Sequence, residues 1–188
     1  MNKFLIAGLG NPGPEYANTR HNVGFIVLDA LAQDAAVSFS PGRYAEVAQF
    51  RLKGRIFFLI KPSTYMNLSG KAVRYWMEKE EIPIEQLLVI SDDVDLPPGT
   101  FRIKPRGSGG THNGLNSIIE YLGSQDFPRF RIGIGNDYAR GFQVDFVLGK
   151  WTRHEEALMI PRVKLAVEAV KSFGLAGLQL TMNLYNNR

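Results

Sequence analysis

The stretch Lys3-Phe4-Leu5-Ile6-Ala7-Gly8-Leu9-Gly10-Asn11-Pro12-Gly13 decides how this chain folds. Phe4 to Ala7 is a short apolar run closed by Gly8 and Gly10, which reads as a buried strand. A loop rich in glycine and proline follows. From about Asn22 to Ala35, Val23, Ile26, Val27, Ala30 and Leu31 then recur at helical spacing. Strand, loop and helix in that order open an α/β fold.

The alternation continues along the chain. Tyr44 to Leu52 and Arg55 to Ile60 read as paired strands about the turn Lys53-Gly54. Ser63 and Thr64 are N-cap candidates for a helix reaching about Lys79. Leu87 to Ile90 is a second buried strand, ending in Ser91-Asp92-Asp93-Val94-Asp95 before the turn Leu96-Pro97-Pro98-Gly99. Phe101 to Pro105 and Arg131 to Ile134 are further strands. Between them lie a flexible loop, Gly107 to Gly110, and a helix from Asn113 to Leu122. Beyond Trp151 the pattern is helical, with Ala157, Ile160, Val163, Leu165, Val167 and Val170 spaced to cover one apolar face. The expectation is a single domain, residues 1–188, with a C-terminal helical segment at about 152–188. Its core is a twisted mixed sheet, mostly parallel, flanked by helices on both faces. Ligands of such folds gather beyond the carboxyl ends of the strands, where the loops after Leu9 and Ile90 lie.

The chain has 188 residues and no cysteine, which removes disulfides, thiolate nucleophiles and Cys-based zinc sites together. The first apolar run is too short for a signal-peptide core, and no later run approaches the ~20 residues of a membrane span. We expect a soluble, cytoplasmic protein. The net charge of +4 is modest, but its placement is informative. Arg102, Lys104 and Arg106 alternate along one strand-like run, and Arg129 and Arg131 along the next. Period-two spacing puts each set on one side of its strand, a basic side suited to phosphate. Glu78, Glu80, Glu81 and Glu85 collect elsewhere and read as a solvated helix end and loop.

Gly8-Leu9-Gly10-Asn11-Pro12-Gly13 satisfies G-x-G-x-x-G, but Pro12 and Pro14 bracket the third glycine where a dinucleotide fingerprint needs a helix to open. Asp29 and Asp34 also lie in a helical pattern and do not end a second strand. No serine has the G-x-S-x-G setting, and Gly70-Lys71 lacks the upstream glycine of a P-loop. The histidines at 21, 112 and 154 have neither H-E-x-x-H spacing nor cysteine partners. We therefore expect neither a metal nor a cofactor. What remains is a polar set on loops and helix starts: Asn11, His21, Asn67, Asp92 and Asn113. His21 directly precedes a helical pattern, where the positive end of the helix dipole favours a neutral imidazole able to accept a proton from water. Asp92 is placed to receive its other ring N–H. Asparagines carry uncharged donors and acceptors suited to a peptide unit or an oxyanion. Met66 and Leu68 read as packing at a helix start.

These residues sit in segments that closely resemble the bacterial-type peptidyl-tRNA hydrolase family. The matching runs are Gly8 to Gly13 through Tyr16 to Thr19-Arg20-His21-Asn22, Tyr65-Met66-Asn67-Leu68-Ser69-Gly70, and Asp92 to Gly99. They continue with His112-Asn113-Gly114-Leu115, Arg131 to Gly135 and Phe146-Val147-Leu148-Gly149-Lys150. In that family the substrate is a peptide esterified to the 3′ end of tRNA, and hydrolysis recycles the tRNA of prematurely released peptidyl-tRNA. The resemblance implies that His21 is the catalytic base, with Asp92 its orienting partner and Asn11 grouped with them. Asn11, Asn67 and Asn113 would bind the peptide backbone and hold the scissile ester. Tyr16 would line the cleft near the terminal nucleotide, and Met66 joins the substrate-binding set. Lys104 and Arg131 would clamp the 5′-phosphate region, and Gly107 to Thr111 would form a lid beside the cleft. Ser108-Gly109-Gly110-Thr111 departs from relatives richer in glycine or histidine there, and Asp93 stands where many carry glutamate. The resemblance further implies a monomer working with no obligate protein partner. The rival reading, a non-catalytic RNA-binding relative, has to explain why His21, Asp92 and all three asparagines are present.

Overall fold

A computed structural model describes residues 2–186 and 188. Seven strands form one sheet: β1 (Lys3–Gly8), β2 (Ser40–Gly42), β3 (Ala45–Leu52), β4 (Arg55–Pro62), β5 (Leu87–Asp93), β6 (Phe101–Lys104) and β7 (Arg129–Gly133). Their order is β2-β3-β4-β1-β5-β7-β6. The four inner strands β4, β1, β5 and β7 are parallel, whereas β2, β3 and β6 pair antiparallel at the two edges. Among the described residues the α-helices are six: α1 (Val23–Asp34), α2 (Ser69–Glu80), α3 (Asn113–Leu122), α4 (Gln143–Val147), α5 (Arg153–Ala176) and α6 (Leu178–Tyr185). None is long and apolar enough to cross a membrane.

The central runs Phe4–Ala7, Ile56–Ile60 and Leu87–Ile90 are apolar on both faces because helices cover the sheet on each side, as parallel strands require. Phe4, Ile6, Leu88, Ile90, Phe130 and Ile132 point to one core with α1 and α5. Leu5, Ala7, Leu87 and Val89 point to the other, with Trp76 of α2 and Leu115 and Ile118 of α3. Each fully buried Leu, Ile or Phe contributes about 1.5–3 kcal/mol. Gly24 lets α1 sit directly on the end of β1, since a Cβ there would lie 2.5 Å from the Leu9 nitrogen. Lys53 and Gly54, both at positive φ, make the tight β3–β4 turn that their sequence promises.

The structure corrects four local expectations. The helix after β4 starts at Ser69 and not near Ser63 and Thr64. Ser63 instead gives its backbone N–H to the Tyr44 carbonyl, and a single 3-10 turn over Met66–Leu68 precedes α2. That detour carries Asn67 to the surface. β5 extends to Asp93, since Asp92 and Asp93 still pair with Ile132 and Gly133 of β7. Asp92 is thus a strand residue. The buried face of α5 is Met159, Ala166, Val167, Ala169, Val170 and Phe173, whereas Ala157 and Ile160 are exposed. Arg106 lies past the end of β6, so only Arg102 and Lys104 share its face.

Candidate active site

His21 lies in a 3-10 turn, Arg20–Asn22, between β1's loop and α1. Its neighbour Arg20 anchors that turn. The Arg20 guanidinium makes two hydrogen bonds to Glu155, 2.8 and 3.0 Å, donates 2.9 Å to the Phe146 carbonyl and stacks 4.2 Å over the Phe146 ring. Burial alone would raise the Glu155 pKa, but hydrogen bonding to Arg20 and Thr152 wins and lowers it. The turn that carries His21 is thereby tied to α4 and α5.

The His21 Nδ1 lies 2.8 and 3.0 Å from the two Asp92 oxygens. A second imidazole completes the group: His112 Nε2 lies 2.8 Å from Asp92 Oδ1. His112 is the N-cap of α3, and its Nδ1 accepts the backbone N–H groups of Gly114 and Leu115. With Nδ1 accepting, the ring proton of neutral His112 must sit on Nε2 and point at Asp92. Asp92 is 4% exposed. Burial pushes its carboxyl up, and the charges and hydrogen bonds of His112 and then His21 hold it below the usual carboxylate range. An ionised Asp92 receives the His21 Nδ1–H, which leaves His21 Nε2 with its lone pair.

His21, Asp92 and His112 present possible ligand atoms within 4.8 Å of one another, a spacing that invites a metal reading. The donor chemistry argues against that reading. The ring nitrogens that face Asp92 carry protons, and the other nitrogen of His112 is committed to backbone N–H groups.

A cleft of about 480 Å³ opens here, lined by His21, Asp92, Asn113, Arg131 and the Ser108–His112 loop, with α4 opposite. Asn11 is not on that lining. It is buried, its Oδ1 accepts the Met66 N–H at 2.7 Å, and its backbone N–H and carbonyl are both bonded to the Asn22 amide at 2.9 Å. Asn11 therefore joins the first loop to the turn carrying Asn67, with its own NH₂ left as a donor. Met66 is 4% exposed and packs in the core, so its side chain offers a substrate little surface. Asn67 and Asn113 are exposed, at the starts of α2 and α3. Tyr16 meets the exposed Tyr65 edge to face at 6.3 Å.

The basic strands divide by role. Arg129 is 1% exposed, not open to solvent as its spacing suggested. It donates to the carbonyls of Ser108 (3.0 Å) and Gln125 (2.9 Å) and so roots the loop beside the cleft. Burial, with Arg131 nearby, lowers its pKa to about 10. Arg131 lines the cleft and pairs with Asp93 at 3.0 Å. Lys104 is exposed at the end of the edge strand, opposite Arg129 and outside the cleft lining.

Two residues escaped the sequence reading of the site. His112 enters the sequence reading only in a family motif and in the test for metal spacing, although its place just before a helical pattern signals a cap. Asn22 adjoins His21 in a quoted motif, but nothing in its spacing shows that it pins Asn11.

The chain was compared with known proteins. A family model described as peptidyl-tRNA hydrolase matches residues 5–188. A peptidyl-tRNA hydrolase of Phocaeicola vulgatus is 56% identical over 186 residues, covering 99% of this chain and all of the relative. One of Porphyromonas gingivalis is 55% identical over 184 residues, covering 98% and 100%. The crystal structure of peptidyl-tRNA hydrolase from Acinetobacter baumannii superposes with a TM-score of 0.92 at 35% identity, covering 98% of this chain and 95% of that one. Matched along nearly its whole length in sequence and in fold, the chain belongs to the peptidyl-tRNA hydrolase family.

Proposed function

We propose that the protein hydrolyses the ester joining a peptide to the 3′ end of tRNA, releasing both for reuse. The observation that carries this reading is the His21–Asp92–His112 group. It sets the His21 ring on the wall of a polar cleft and holds it by a carboxylate that is itself held.

In the first step His21 Nε2 takes a proton from water while the water oxygen attacks the ester carbonyl carbon. Charge collects on the former carbonyl oxygen, where amide groups of Asn11, Asn67 or Asn113 serve as donors and fix the peptide backbone. Asp92 stabilises the imidazolium and keeps its Nδ1–H aimed. The tetrahedral species then expels the ribose 3′ oxygen, which takes the proton from His21 Nε2. The peptide carboxylic acid gives the remaining water proton to solvent, and the peptide carboxylate and tRNA hydroxyl leave. An ester's leaving group makes a base and positioned donors sufficient, and such a base contributes about 10²–10⁴ in rate.

Tyr16 borders the terminal nucleotide in this reading, and Lys104 and Arg131 contact phosphate at the β6–β7 edge. We further infer that a monomer suffices, because one chain supplies every group the mechanism uses, and that it acts in the cytoplasm on free peptidyl-tRNA. Incubation with N-acetyl-aminoacyl-tRNA and with free aminoacyl-tRNA tests the proposal. Selective release from the blocked substrate is expected; binding without release would favour a non-catalytic RNA-binding platform.

A further inference from the structure

The solvent side of α2 carries a second charged surface that the proposed mechanism does not use. Lys71, Arg74 and Arg43 are exposed, and each lies over a tyrosine. Lys71 sits 4.8 Å above the Tyr44 ring, Arg43 lies 5.0 and 5.6 Å from Tyr44 and Tyr75, and Arg74 lies 4.9 Å from Tyr121. The Trp76 indole N–H donates to the Arg43 carbonyl at 2.8 Å, which fastens this turn to α2. Among the described residues none of the three cations has a carboxylate within 4.0 Å, in contrast to Lys3, Lys61 and Lys171. The rings orient the cationic centres themselves, the Lys71 Nζ and the Arg43 and Arg74 guanidinium carbons, and no carboxylate neutralises them.

Position supplies the partner. Asn67 stands one turn before Lys71, and Lys71, Arg74 and Tyr75 follow at the spacing of one helix face. Arg131 and Lys104 belong to β7 and β6 at one edge of the sheet, whereas Tyr44 adjoins β3 near the other. If RNA is held at the first edge, a peptide running from the ester toward the second passes along this face of α2. The alternative route past Asn11 and Asn22 carries Lys61, which Asp29 and Glu46 already neutralise, so it offers little selection by charge.

Resting on the hydrolase reading above, we infer that Lys71, Arg74 and Arg43 form a track for the peptide part of the substrate that favours acidic side chains. Asn67 to Arg74 spans about 10 Å along the helix. An extended peptide covers that in about three residues. The selected positions are therefore roughly the second to fourth residues from the esterified one. Glu78, exposed one turn beyond Arg74, closes the track.

The test uses N-acetylated hexapeptidyl-tRNAs that share one tRNA and one esterified residue. They carry Glu, Gln or Lys at those three positions. The wild-type protein should cleave the Glu substrate with a kcat/KM about 3- to 10-fold above the Gln substrate, mainly through KM, with the difference gone near about 0.5 M salt. Combining Lys71→Glu with Arg74→Glu should invert the order and favour Lys, a result that misfolding does not produce. Equal rates for the three peptides in the wild type would overturn the inference. So would a double variant that loses all three substrates alike together with affinity for uncharged tRNA, which would make the track an RNA contact. Absence of any release by the wild type would sink the hydrolase reading, whereas release without charge order sinks this one alone.

Discussion

Asp92 and Asp93 are neighbours on β5, yet they serve regions built in opposite ways. Asp92 sits at a buried centre where each polar group has a partner fixed by something else: His21 by the turn Arg20 anchors, His112 by the α3 cap. Asp93 faces the basic edge, where Arg131 keeps a quarter of its side chain exposed and Lys104 projects from an edge strand. The first region is over-determined and has one geometry, as chemistry at a single atom demands. The second holds partly exposed charges near a surface, which suits a polyanion bound through several weak, salt-sensitive contacts.

The contrast is broken most severely at the centre. His21→Ala should lower kcat by about 10²–10⁴ while tRNA affinity changes little, measured by single-turnover release and by binding; near-normal turnover would remove His21 from the mechanism. Asp92→Asn comes next, at about 10²-fold. An amide in that place offers one oxygen to two imidazole N–H groups and turns its NH₂ toward the other. If His112→Ala, which also removes a cap, costs as much as Asp92→Asn, the two histidines act as one unit.

At the basic edge the effects should be smaller and depend on salt. Lys104→Ala and Arg131→Ala should each raise KM several-fold at low salt, with kcat nearly unchanged, and reduce the salt slope of binding by about 0.7–0.9 per contact. Equal losses on substrates lacking phosphates would show that Arg131 acts through the cleft and not through RNA.

The smallest expected effect concerns the anchor of the His21 turn. Glu155 has a depressed pKa in the folded state. Its contribution is therefore present above the unfolded value, about 4.3, and is lost as pH falls through the folded one. Glu155→Gln should lower Tm by about 2–4 °C at neutral pH, with a smaller gap from wild type below about pH 4. A gap that stays constant with pH would mean the pair is only packing.

Much of the fold could be read in advance. The apolar runs at Phe4–Ala7 and Leu87–Ile90, the helical spacing after Asn22 and the Lys53-Gly54 turn each identify their element from local chemistry. The start of α2 could not, because Ser63 and Thr64 are good caps in isolation and the tertiary bond from Ser63 to Tyr44 overrides them. Period-two spacing correctly put Arg129 and Arg131 on one face, but it carries no information on depth. Burial under the Gly107–Thr111 loop made one a scaffold and left the other at the cleft.

The α/β alternation, the absence of thiol chemistry and the nomination of His21, Asp92 and the asparagines as candidate groups follow from the sequence alone. Only the tertiary structure decided that His21 and Asp92, 71 residues apart, share a hydrogen bond, and that His112 grips the same carboxylate. It also decided that Asn11 works through the Met66 backbone. The reason is physical: periodicity and caps report what a residue does to its own helix or strand, whereas a catalytic contact depends on where separate elements end once the sheet has been packed from both sides.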